Sequence, residues 1–170
     1  PVSNDYSSKW ADYLRAKGKK VWWYTCCSPG YPHANMASLE HPAVEGRLVL
    51  GYLTWLYRAD GFLFWHVNNW RKGNDPMDET DTYFPEWNTW NYLGIPEDGI
   101  FLYPGKDHIL PSIRFANIRD GEEDYEYLLR AEKRIGRKAV EEMVRPYVRS
   151  KTDFTRNAAE LTFLRKYLSR

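Results

Sequence analysis

Apolar positions along this chain fall into three short continuous runs separated by stretches of helical period. Residues 20–27 carry the run Val21-Trp22-Trp23-Tyr24-Thr25. A continuous run of this length predicts a strand covered on both faces, since half-exposed strands alternate apolar and polar positions. Residues 62–67 and 99–103 read the same way, the first after Asp60-Gly61 and the second ending at Pro104-Gly105. Ahead of the first strand, Ser7 or Ser8 caps a helix whose apolar face is Trp10, Tyr13 and Leu14, with Gly18 at the stop. Residues 28–41, with Pro29, Gly30 and Pro32, predict a loop. A second helix starts near Pro42 and runs to about Arg58, with Leu48, Tyr52 and Trp55 at helical spacing. Beyond Pro111 the chain turns helical. Ser112 caps a helix to about Arg134, and residues 135–149 and 155–169 follow as amphipathic helices, the former broken near Pro146.

Alternating helices and strands imply parallel strands, because each return passes through a crossover. Only the connection 68–98 lacks an obvious helix, and a loop of that length in a compact unit is usually functional, as a substrate wall or lid. The pattern fits an α/β chain forming the C-terminal part of a (β/α)8 barrel, with about three parallel strands. Residues 1–134 supply the βα units and 135–170 a helical extension of the same domain. A small doubly wound sheet has the same local signature. Three parallel strands leave unpaired edges, so self-association, pairing with a missing N-terminal barrel portion, or edges covered by loops and C-terminal helices is expected.

Composition narrows the ligand. Eight Trp and thirteen Tyr in 170 residues favour a stacking ligand, with a Trp-rich core as the alternative. The net charge of +1 provides no field for nucleic acid or an anionic membrane, and no apolar run spans a bilayer. No signal peptide opens the chain, which leaves the compartment open, a secreted or periplasmic parent protein being one option. Cys26 and Cys27 are adjacent, too close for an unstrained disulfide, and are expected as buried thiols. His33, His41, His66 and His108 form no ligand pair, so neither a metal nor another cofactor is implied.

Residues at the C-terminal ends of parallel strands surround the ligand in both architectures. Tyr24 and Tyr103 end strands and can donate phenolic hydrogen bonds to a sugar, or fill the core with the hydroxyl on backbone. Trp65 and Trp70 are stacking candidates. Asn68 can bind sugar hydroxyls, while Asn69 suits a turn, and His66, inside the strand, reads as structural. The charged segment 114–126 reads as structure: its carboxylates sit at helical spacing from Arg groups, with Arg114 able to pair with Asp120 or Asp124, and Gly121 implies close packing of its turn.

These residues resemble a known family. Trp22-Trp23-Tyr24-Thr25-Cys26-Cys27, Arg47, Asp60-Gly61-Phe62-Leu63-Phe64-Trp65, Asn68, Trp70 and Asp75-Pro76 resemble the C-terminal part of the glycoside hydrolase family 123 catalytic domain. The likeness continues through Leu102-Tyr103-Pro104-Gly105, Ser112-Ile113-Arg114, Arg119-Asp120-Gly121 and Glu123-Asp124-Tyr125-Glu126-Tyr127-Leu128. The resemblance implies a barrel that removes terminal β-linked N-acetylgalactosamine with retention, the substrate's 2-acetamido oxygen attacking the anomeric carbon to form an oxazolinium. Such substrate assistance departs from the two-carboxylate scheme. The family's consecutive Asp-Glu pair sits at the end of an earlier strand. Asp78-Glu79 has that composition but falls in the long loop, where a rigid backbone cannot aim it, so the catalytic pair is expected before Pro1 and this chain alone is expected to be inactive. The alternative is a non-catalytic carbohydrate-binding or structural fragment.

Overall fold

The computed structural model describes residues 1–37, 39–69, 99–105 and 107–170. The architecture is mixed α/β. Two strands, β1 (Trp22–Thr25) and β2 (Gly61–Phe64), pair in parallel, with Tyr24 opposite Leu63 and Thr25 opposite Phe64. The N-terminal segment adds to the other edge of β1. Val2 bridges Tyr24 in parallel, Tyr24 N donates to Pro1 O at 3.1 Å, and Ser3 N donates to Tyr24 O at 2.9 Å.

Helix α1 (Ser8–Arg15) begins as expected, with the Ser7 hydroxyl accepting from Trp10 N, and the chain turns out of it at Gly18, whose φ is +73°. Its apolar face does not point inward. Ala11 is buried, whereas Trp10 is 65% and Tyr13 49% exposed, their rings packed edge to face at 5.6 Å. Helix periodicity located the stripe but not what covers it, because among the described residues nothing lies over that side.

The second helical run starts at Glu45, three residues after Pro42. It comprises α2 (Glu45–Arg47), a π-helical stretch (Leu48–Leu53) and α3 (Thr54–Leu56). Leu48, Val49, Tyr52, Leu53 and Trp55 fill the core behind β1 together with Trp23, whose indole N–H donates to Thr54 Oγ1 at 3.1 Å. The long helix α4 (Ile113–Ile135) is capped by the Ser112 hydroxyl, and Gly136, with φ +82°, separates it from α5 (Arg137–Val144). Helix α5 stops before Pro146, and α6 (Ala158–Leu168) closes the layer, burying Leu161, Leu164 and Leu168.

One expected strand is corrected. The run 99–103 does not add a third parallel strand among the described residues. Strand β3 (Leu102–Pro104) instead pairs antiparallel with β4 (Ile109–Pro111), Tyr103 facing Leu110. β3 ends at Pro104 as expected, but the chain then folds back: a Cβ on Gly105 would sit 2.3 Å from His108 O, so only glycine fits there.

Buried ion pairs tie the helices together. Asp124 on α4 is fully buried and accepts from Arg47 Nε at 2.9 Å, Arg47 Nη2 at 3.2 Å and Arg165 Nε at 2.5 Å. Asp120 pairs with Arg119 at 3.0 Å, so Asp124 and Asp120 take partners other than Arg114. Burial works against the charge of Arg165. The hydrogen bond to Asp124 and the charges of Asp124, Glu123 and Asp120 more than offset it, leaving that pKa above the usual arginine value.

Burial also raises the phenol pKa values of Tyr6, Tyr52 and Tyr125, with the carboxylate of Asp124 adding to the effect at Tyr52. A folded-state pKa above the unfolded one contributes stability below the unfolded value, and that contribution is lost as pH rises through the folded one. The urea midpoint should therefore hold level up to about pH 9 and fall steeply beyond about pH 10, where unfolded-chain phenols ionise. Exposed phenols titrate in the folded chain, whereas the tyrosinate absorbance of Tyr6, Tyr52 and Tyr125 should appear together with unfolding. Smooth tyrosine titration with the midpoint unchanged would contradict the burial argument.

Candidate functional site

The parallel register decides which side chains share a face. Trp23 and Thr25 point into the helix layer and are buried, while Trp22 and Tyr24 point to the opposite side. Leu63, opposite Tyr24, shares that side, and Trp65, two residues on, follows it just past the end of β2. Trp22 is 51% and Trp65 36% exposed, with Tyr24 half-buried between them in the register. Trp22, absent from the sequence candidates, is exposed because Gly61 leaves room for it: a Cβ there would lie 2.5 Å from the indole. The ring lies against the start of β2, nearer the strand's beginning than its rim.

Past β2 the backbone runs beside the segment leading to β3. Asn68 bridges Ile100 in antiparallel fashion, Asn69 N donates to Gly99 O at 2.9 Å, and Phe101 N to Val67 O at 2.8 Å. Gly99, with φ +80°, lets Trp65 close in, since a Cβ would meet its ring at 2.9 Å. Asn68 is exposed and Asn69 buried. The ring of His66 packs against Trp65 with centroids 5.4 Å apart. Tyr103 is half-buried on β3. Its ladder partner is β4, so no described strand pairing joins it to β1. The structure thus places Trp65 just past the strand that pairs with the one carrying Tyr24, and connects Asn68 to the stretch preceding Tyr103. Trp70, Asp78 and Glu79 lie outside the described residues.

The loop after β1 is organised by a buried acid that the sequence reading passed over. Glu45, fully buried at the start of α2, accepts from Asn35 N at 2.8 Å and Arg156 Nε at 2.6 Å, and its Oε2 lies 2.8 Å from His41 Nδ1. Asn35 in turn donates to Cys26 O and Pro29 O and accepts from Met36 N and Ala37 N, using its amide in full. His41 and Glu45 are four residues apart, and that spacing is the signal that could have found them. Cys27 is exposed and Cys26 half-buried, correcting the expected burial of both thiols. No group of three metal-ligating side chains occurs among the described residues. Two shallow grooves lie along α4, one of about 490 Å³ lined by Arg119, Glu123 and Tyr127 and one of about 640 Å³ beside Ile113 and Phe115. Neither includes Tyr24, Trp65, Asn68 or Tyr103.

Comparison with known proteins places the chain in a class. The family model described as "Glycoside hydrolase 123, catalytic domain" matches residues 1–130, and the chain belongs to that family. Among solved structures, a family 123 glycoside hydrolase from Clostridium perfringens, described in terms of glycolipid glycan hydrolysis, is similar in fold with a TM-score of 0.61 and 17% identity. The alignment covers 95% of this chain and 27% of that one, so the chain spans about a quarter of the relative's length. Comparison with curated proteins gives no match. No described helix is long and apolar enough to cross a membrane.

Proposed function

We propose that this chain supplies part of the sugar-binding wall of a family 123 glycoside hydrolase barrel, acting on glycans that end in β-linked N-acetylgalactosamine. The observation that supports this reading is the parallel pairing of β1, which carries Tyr24, with β2, which Trp65 directly follows, within the stretch that the family model matches. Trp65 offers an apolar plane for the C–H face of the sugar, and Tyr24 a hydroxyl for the acetamido carbonyl. Asn68, Trp70 and Tyr103 extend the wall. In this reading hydrolysis is retaining and assisted by the 2-acetamido group, and a glycolipid glycan of the kind named for the Clostridium enzyme is a fitting substrate. Residues 1–134 carry the wall, and the helices beyond extend the same unit.

The acid and the acetamido-orienting carboxylate are the parts for which the described residues offer no counterpart. Glu45 and Asp124, the buried acids among them, are both held by arginines. That observation favours the second reading, a binding or structural piece without catalysis of its own. Both readings predict that the chain alone does not turn over a chromogenic N-acetylgalactosaminide. Turnover abolished by Asp78→Asn would instead move the acid to the 78–79 pair. Saturation-transfer NMR with N-acetylgalactosamine should show contacts to indole protons, and Tyr24→Phe should weaken binding by about 1 kcal/mol, roughly fivefold in Kd. Absence of sugar contacts in the folded chain would remove the wall from the reading.

A further inference from the structure

The turn that ends β1 sets two thiols side by side. Cys26 Sγ and Cys27 Sγ are 3.9 Å apart, with Cys27 exposed. Cys26 is held from several directions: its N–H donates to Ser28 O at 2.9 Å, its carbonyl accepts from Asn35 Nδ2 at 2.9 Å, and Ser28 N reaches its sulfur at 3.4 Å. One thiol is therefore anchored and the other meets solvent. A disulfide needs sulfurs about 2.05 Å apart, a gap that side-chain rotation narrows without moving either strand. Neighbouring Cα atoms are about 3.8 Å apart, below the usual disulfide range of about 4.4–6.8 Å, so the eight-membered ring is strained. Strained and exposed disulfides are the readily reduced, labile ones.

We propose that Cys26 and Cys27 form a redox-labile dithiol that low-molecular-weight disulfides convert reversibly to a vicinal disulfide. The Cys27 thiolate attacks one sulfur of the reagent, whose S–S bond breaks and releases one thiolate, leaving a mixed disulfide on Cys27. The Cys26 thiolate then attacks Cys27 Sγ and the second reagent thiolate departs. Two electrons pass from the cysteine pair to the reagent, and the two cysteine protons end on the two released thiols. Exposure assigns the entry role to Cys27, and proximity the resolving role to Cys26. Ring closure twists the Cys26–Cys27 peptide, whose carbonyl fastens the turn to Asn35, so it acts on the loop beside Tyr24.

The test uses the full chain and glutathione disulfide as oxidant, followed by iodoacetamide and intact-mass analysis. The expected product has lost two hydrogens, carries neither glutathione nor alkyl groups, and maps to the peptide holding both cysteines. Excess reduced glutathione should restore double alkylation. Cys26→Ser should instead stop at a persistent glutathione adduct on Cys27. A lasting adduct on Cys27 of the unaltered chain with Cys26 still alkylatable, or double alkylation unaffected by oxidant, overturns the proposal. The unaltered chain decides the matter even if Cys26→Ser does not fold.

Discussion

Asp124→Ala should destabilise the chain by about 3–5 kcal/mol, because it leaves buried guanidinium charge without its counter-ion. Arg47 is nearly as buried as its partner, with side-chain exposures of 5% and 0%, so water cannot replace the lost carboxylate. Arg165 keeps Glu123 at 2.8 Å and the carbonyl of Asp120, which limits the loss on its side. Asp124→Asn should be nearly as damaging, since an amide offers N–H groups where donors already point. A loss of this size consumes a fifth or more of the roughly 5–15 kcal/mol typical of a domain. The check is a urea titration followed by tryptophan fluorescence. Arg47→Met with Asp124→Leu should recover much of the loss, since replacing a buried pair by apolar groups is often neutral, whereas removing one partner is not. A midpoint unchanged in Asp124→Ala would show that the pair contributes nothing to stability.

That network also marks how far the sequence could be read. The acidic and basic positions of 114–126 have helical spacing, and this was enough to assign them to structure. Spacing reports neighbours within a helix and says nothing about a partner 77 residues away, so the Arg47–Asp124 pair was out of reach. Likewise β1 and β2 were legible as strands from their apolar runs, but the cover on both faces that such runs predict is corrected: Trp22 and Leu63 are exposed, so one face of the pair lies open among the described residues. The β3–β4 hairpin was not. Pro-Gly stops a strand and turns one equally well, and the difference lies in what Ile109 and Leu110 find opposite them.

In the candidate site, Tyr24 and Trp65 were proposed from their place near strand ends, and the register places Tyr24 opposite Leu63, with Trp65 just beyond β2. Trp22 was missed because its prominence depends on a glycine in the neighbouring strand. Glu45 was missed because an acid in a helix's first turn normally reads as a favourable charge near the macrodipole. Here it is an internal anchor, and its partners Asn35, His41 and Arg156 come from both sides of it in sequence. The same limit explains Trp10 and Tyr13: amphipathicity gives a direction, not the identity of what lies there.

Gly121→Val should be the most damaging change on the helix faces, costing about 3 kcal/mol by overpacking that the few tenths of a kcal/mol gained in helix propensity over glycine do not offset. A Cβ at Gly121 would lie 3.0 Å from Arg47 Cα, Gly46 O and Leu50 Cβ. Across the crossing, a Cβ at Gly51 would lie 2.9 Å from Gly121 O. Two glycines thus face each other where α4 meets the π-helical stretch, and much of what limits their approach is backbone, which cannot rotate away. Alanine shows the balance. It gains about 1 kcal/mol of helix propensity over glycine, against an overpacking cost of about 1–3 kcal/mol, so Gly121→Ala should be mildly destabilising. The decisive measurement is the double variant. If both glycines serve one contact, the first alanine pushes the helices apart and the second costs less than it does alone, a coupling of about 0.5 kcal/mol or more. Strict additivity would mean that each glycine accommodates its own neighbours and that the close approach of the helices is incidental.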